Sequence, residues 1–247
     1  MSPLARLTAT EFALVRRDRS ALPLTFLLPL GLLVGFGLGD GMRERIPELG
    51  GFTAFEIFIV PIALVLVVTM LPLQVLPVTL ASYRERGVLR RMATTPVHPG
   101  ALLGAQLLVH LGMLVGSLAL TAAVAVFGFG VSVPTSAGGV VGILALGAAA
   151  LYAMGVAVAA LAPKASTATA IGMGLFFPQL LLGGLMVPAD QLPEVMARVG
   201  EFLPAGATLH GLQAAWTGEG VATLHLVVLV AWALGLGVVA ARRFRWD

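Results

Sequence analysis

Residues 57–83 read IFIVPIALVLVVTMLPLQVLPVTLASY, without one Asp, Glu, Lys or Arg. A helix of about 20 such residues spans the hydrocarbon core of a bilayer, where no water is present to pair a free backbone group. Working outward, further charge-free windows lie at 20–39, 92–163, 165–189 and 220–241. The window 92–163 is too long for one span. It divides at 128–139, GFGVSVPTSAGG, whose Gly, Pro and Ser residues mark a turn. Six helices are therefore predicted, near 22–38, 57–80, 101–127, 140–161, 168–187 and 221–241. Composition agrees: 58% of the residues are hydrophobic and 11% charged, where a soluble domain carries about 25% charged residues. A soluble enzyme, a disordered chain and a fibrous protein are excluded. The fold class is an all-α polytopic membrane protein, one transmembrane domain over 1–247.

Basic residues orient the spans. Twelve of the 15 fall in four segments that alternating spans place on one side. These hold Arg6, Arg16, Arg17 and Arg19; Arg84, Arg86, Arg90 and Arg91; Lys164; and Arg242, Arg243 and Arg245. The opposite loops hold Arg43, Arg45 and Arg198. Both termini are expected in the cytoplasm. Charge that sits at segment ends in this way is no sign of nucleic-acid binding. No cleaved leader is expected, since no small-residue cleavage site accompanies the first window. With no cysteine, disulfides and thiolate metal sites are excluded.

Three segments break the simple pattern. Residues 3–19 read as an interfacial helix, with Leu4, Leu7, Leu14 and Val15 on one face and Arg6, Thr10 and Arg17 on the other; Glu11 falls on the apolar side. The inner stretch 81–100, ASYRERGVLRRMATTPVHPG, is too long and too charged for a tight hairpin. It reads either as a basic anchor that holds the loop inside or as a docking surface for a cytoplasmic partner. The outer stretch 188–220 places Leu192, Val195, Met196, Val199, Phe202 and Leu203 on one helical face. Pro193 is expected in the first turn and Pro204 at the end of that helix, followed by a second short element that leads to Trp216. This stretch reads as a re-entrant or interfacial element, or as an ordinary outer loop.

Within the spans, Gly31, Gly35, Gly39, Gly172, Gly174, Gly183 and Gly184 let backbones approach closely. Pro29, Pro61, Pro72, Pro77 and Pro178 are expected to kink or break their helices. Polar side chains inside the membrane are limited to groups such as Gln74, Gln106, His110 and Gln179; Glu56 sits at the outer edge of its helix. Coupled carriers usually need mid-membrane carboxylates, so energy is expected from elsewhere. No HExxH, intramembrane serine-protease pattern or phosphate-binding Gly-rich loop is present. A remote alternative is an intramembrane enzyme using His110 or His225 with a serine. Another is a structural anchor for a cytoplasmic complex.

The order Arg16-Arg17-Asp18-Arg19 then Pro29, Glu85-Arg86-Gly87, Leu89-Arg90-Arg91, Thr95-Pro96, then Gly184, Pro188, Leu192-Pro193 and Leu203-Pro204 resembles the permease subunits of ABC-2 type exporters, in their drug-efflux branch. The resemblance implies a bacterial cytoplasmic-membrane subunit that is not itself an enzyme and carries no cofactor. A separate ABC ATPase subunit would bind ATP and Mg, and a second permease subunit would complete a homo- or heterodimer. Arg84, Glu85, Arg86, Gly87, Leu89, Arg90 and Arg91 would form the coupling helix, with the N-terminal helix against it. A substrate path along the dimer interface would be lined by helices 2 and 5. Thr69, Met70, Gln74, Met173, Phe176, Phe177 and Gln179 offer an apolar surface there, suited to a hydrophobic or amphipathic drug, antibiotic or lipid. A lipid-linked glycan or cell-envelope precursor is the alternative cargo. Pro188, Leu192, Pro193 and Phe202 would belong to an outer gate. Glu85→Ala, or charge reversal at Arg90 and Arg91, should impair transport without preventing membrane insertion; normal efflux by such variants would remove the coupling role.

Overall fold

A computed structural model describes residues 7–13, 22–47, 50–88 and 100–243. Residues 7–13 are helical. The helices that follow are α1 (Leu22–Gly37), α2 (Phe55–Glu85), α3 (Gly100–Gly128), α4 (Ala137–Leu161), α5 (Ala165–Leu182), α6 (Glu194–Glu201), α7 (Pro204–Thr217) and α8 (Thr223–Arg243). Among the described residues, five helices are long and apolar enough to cross a membrane: α2, α3, α4, α5 and α8. The first predicted span, α1, has 16 residues. At 1.5 Å per residue it is about 24 Å long, short of the roughly 30 Å hydrocarbon core.

The predicted turn between the third and fourth spans is present. Ser136 caps α4, its hydroxyl accepting from the Gly139 amide at 3.2 Å. The fifth helix stops at Leu182, earlier than hydropathy alone suggests. Gly184 takes φ +82, and the Leu185 amide returns to the Leu180 carbonyl at 3.1 Å. This left-handed turn satisfies the last carbonyls and ends the helix although apolar residues continue. In the outer stretch, Pro193 is the cap before α6 rather than part of its first turn. Pro204 opens α7 rather than merely closing α6, because a missing N–H costs nothing where that group has no intrahelical partner.

Helix α2 is the buried axis of the molecule. Val60 through Leu73 are buried almost without interruption, and α1, α3, α4, α5 and α7 pack around it. Its prolines neither break it nor end it. Two π-helical turns, Phe55–Ile59 and Leu71–Val75, each lie shortly before a proline. In the second, the Leu76 amide bonds the Leu71 carbonyl five residues back. The Pro72 carbonyl thereby loses its α-helical donor. Pro77 has no N–H for the Leu73 carbonyl. Two adjacent carbonyls are left facing outward, and glycines of two neighbouring helices meet them. A Cβ on Gly155 of α4 would collide with the Pro72 oxygen, and one on Gly172 of α5 with the Leu73 oxygen. Only a bare Cα can come that close, and its hydrogens offer weak C–H···O partners. At the first π turn, Pro61 leaves the Ile57 carbonyl without its donor, and Gln213 Nε2 of α7 supplies one at 3.2 Å.

The N-terminal end of α2 is closed by Glu56. Its carboxylate accepts from the Thr53 amide at 2.8 Å, while the Thr53 hydroxyl accepts from the Glu56 amide at 3.1 Å. This reciprocal pair is a capping box. The other carboxylate oxygen accepts from Ser132 N at 2.6 Å, which ties the turn after α3 to the start of α2.

Not every small residue serves packing. A methyl group added at Gly31, Gly35 or Gly174 would meet nothing within 4 Å, whereas Gly183, Gly200 and Gly206 pack backbone on backbone where α5, α6 and α7 converge. Replacing Gly155 with Val should therefore destabilise the protein by about 1–3 kcal/mol through overpacking. Gly142→Ala, in the same helix but facing open space, should be neutral or slightly stabilising. Thermal unfolding midpoints in detergent would distinguish the two.

Candidate functional site

The C-terminal end of α2 carries three consecutive polar residues, and each reaches a different neighbour. Tyr83 donates its hydroxyl to Glu11 Oε2 at 2.6 Å. Gln106 Nε2 of α3 donates to the same carboxylate oxygen at 2.6 Å and lies 3.3 Å from the Tyr83 oxygen. Glu11 is buried. The acid that sits awkwardly on the apolar side of the N-terminal helix is thus what fastens residues 7–13 to α2 and α3. Charge-assisted bonds of this kind are short and strong.

Arg84 turns to α4. Its Nη1 donates to the carbonyls of Ala159 at 2.9 Å and Ala162 at 2.7 Å. The Ala159 carbonyl is available because Pro163, four residues on, has no N–H. A guanidinium at a helix C-terminus also complements the partial negative charge there. Glu85 turns to α5, accepting from the Ala165 amide at 3.2 Å. Lys164, at the N-cap of α5, provides no side-chain cap, and Glu85 takes that place with the charge that a helix N-terminus favours. The helix then closes: Arg86 N bonds the Ser82 carbonyl and Gly87 N the Arg84 carbonyl, both at 3.0 Å, with Gly87 at φ +67. Leu89, Arg90 and Arg91 lie outside the described residues. So does most of the expected interfacial face, Leu4, Arg6, Leu14, Val15 and Arg17.

The residues assigned to a substrate path do not share one surface. Thr69 and Met70 are buried inside the subunit, and the Thr69 hydroxyl bonds back to the Val65 carbonyl at 2.7 Å. Gln74 is half-buried, its amide nitrogen enclosed and without a partner. On α5, Phe176 and Gln179 face inward while Met173 and Phe177 are exposed. Gln179 is a fixed part of the core: its Oε1 accepts from the Ala205 amide at 2.9 Å, in the first turn of α7. A buried helix start needs such an acceptor. The outer residues also divide. Pro188 and Pro193 cap short helices, Leu192 is half-buried and Phe202 is exposed. The apolar face Val195, Met196, Val199 and Phe202 points away from the protein body, and Trp232 of α8 donates to the Phe202 carbonyl at 2.8 Å.

The family model described as ABC-2 type transporter matches residues 4–216. This chain belongs to the ABC-2 type transporter family. It is thus a membrane component of an ABC transporter, a transport subunit with helices that cross the membrane. A comparison with curated proteins gave no match. The match takes in the three-residue cluster at the end of α2, the central axis, and α6 and α7. For this ABC-2 permease, sequence reading singled out Arg84 and Glu85 but not their partners. Glu11 and Gln106 were legible only as polar groups in apolar surroundings, and that misplacement is the signal that could have paired them.

Gln179→Leu should leave the Ala205 N–H unpaired in the core and cost about 1–3 kcal/mol. Phe177→Leu, on the exposed side of the same helix, should cost far less. Unfolding midpoints of the two variants test this assignment.

Proposed function

We propose that this ABC-2 permease is the pore-forming half of an ATP-driven exporter in the bacterial cytoplasmic membrane, with both termini inside the cell. A separate ATPase chain binds ATP and Mg and docks within the arginine-rich segment 84–91 that α2 leads into. A second permease subunit, identical or related, completes the path. The cargo is a hydrophobic or amphipathic compound: a drug, an antibiotic or a lipid.

The observation that carries this reading is the distribution of surfaces on the helices. Helix α5 presents Met173 and Phe177 outward beside Gly174, with no ionisable group among its outward-facing residues from Ala170 to Leu181. Such a face suits an apolar molecule or a second permease subunit, and offers nothing to a charged solute. Thr69, Met70 and Gln179 are committed to the interior, so the path-lining role falls to Met173 and Phe177. Energy input from the cytoplasm fits the polar, tightly bonded end of α2 and the arginine-rich segment that follows it.

The test is co-purification from the native membrane followed by reconstitution. An ATPase should accompany the tagged permease, and lipophilic compounds should stimulate its hydrolysis of ATP. Substitution of Met173 and Phe177 by Ala should change which compounds stimulate, with the basal rate little altered. Full transport by the permease alone in liposomes, with no nucleotide-hydrolysing chain, would overturn the proposal. Because the chain has no cysteine, single cysteines at either terminus can report the side on which each lies.

A further inference from the structure

We infer that Tyr83, Arg84 and Glu85 form an internal transmission joint, which spreads movement of the segment after α2 to residues 7–13, α3, α4 and α5 at once. The inference rests on the reading of segment 84–91 as the place where an ATPase acts, and it divides that segment in two. Residues beyond Gly87 remain for the ATPase. Arg84, half-buried, bonds back to the end of α4, and Glu85, although exposed, bonds back to the start of α5.

Three observations support the division. The first is the choice of partners. Arg84 bonds the carbonyls of Ala159 and Ala162 at the end of α4, and Glu85 bonds the amide of Ala165 at the start of α5. All three are backbone groups. A side chain that bonds another side chain can be displaced while rotamers adjust. One that bonds helix-end backbone moves the helix itself.

The second is local supply. Pro163 removes the donor that Ala159 would have had, and Lys164 supplies no cap to α5. The turn between α4 and α5 thus lacks a donor on one side and an acceptor on the other, and adjacent residues of α2 provide both. The opposite charges suit the opposite helix ends they meet.

The third is where the joint sits. Gly87, in a left-handed conformation with open space around its Cα, follows two residues later. Glu85 is therefore the last residue of a helix whose middle, Val60 to Leu73, is buried in the molecule. Tyr83, one residue before Arg84, holds Glu11 and, through that carboxylate, Gln106. Consecutive side chains on a helix point about 100° apart, so three in a row reach neighbours on three sides.

The experiment uses the permease–ATPase complex in liposomes and reads two rates, ATP hydrolysis and cargo movement. Arg84→Met and Glu85→Ala should leave the ATPase bound and hydrolysing, while cargo moved per ATP falls about tenfold. Glu85→Gln keeps an oxygen that can accept from Ala165 and should retain most of the coupling. Unchanged cargo per ATP in both Arg84→Met and Glu85→Ala would overturn the joint. So would loss of ATPase binding in them, since that outcome places the two residues on the docking surface. Should either variant fold poorly, a covalent version decides. In the cysteine-free chain, Glu85→Cys with Ala165→Cys should be uncoupled when reduced and should recover transport once a short thiol cross-linker joins the two positions. Cross-linked protein that hydrolyses ATP but stays uncoupled would also overturn the joint. If wild-type permease brings down no ATPase at all, it is the exporter reading that fails, and the two failures are distinct.

Discussion

A backbone carbonyl with no donor is tolerable in water and costly in lipid. In α2, Pro61, Pro77 and the π turn at Leu71–Val75 create such carbonyls in one helix, and neighbouring helices lie against them. Gln213 serves the Ile57 carbonyl, while Gly155 and Gly172 bring bare backbone against those of Pro72 and Leu73. These contacts require three different helices to lie against α2. That requirement makes α2 the axis of the described fold and leaves Thr69 and Met70 buried within it.

The same economy of backbone groups operates at both ends of the axis. At the N-terminal end one carboxylate, Glu56, satisfies amides of its own helix start and of the turn after α3. At the C-terminal end Arg84 and Glu85 serve the end of α4 and the start of α5. Charged residues at the rims of a membrane protein are usually explained as topology signals. Here Glu56, Arg84 and Glu85 also satisfy backbone groups of elements other than their own. That second duty explains why an acid stands amid the arginines of 84–91, where an orientation signal alone needs none.

Movement in such a subunit must preserve those contacts or exchange them as a set. A rod held at its middle by glycine contacts and at its inner end by three consecutive polar residues can tilt with its neighbours more easily than it can slide past them. Exposed apolar surface lies on α1, α3, α5, α6 and α8. Helix α6 has its apolar face outward, and the residue after its last turn is tied to Trp232 of α8.

What the sequence determined by itself was the solvent and the punctuation. Charge-free windows, the Gly/Pro turn at 128–139, the helix signal in 192–203 and the arginine-rich stretch at 84–91 follow from residue order alone. The α6 face could be read because its polar and apolar residues alternate with helical period. The long spans carry no such signal. Lipid is as apolar as a helix interior, so nothing in a uniformly apolar helix marks its inner side. The tertiary structure decided which faces turn inward: Gln179 and Phe176 inside, Met173 and Phe177 outside, Gly172 against a carbonyl and Gly174 in the open. It also decided the long-range polar pairs. Glu11, Tyr83 and Gln106 are far apart in the chain, and only the packing of their helices makes one carboxylate oxygen serve both donors.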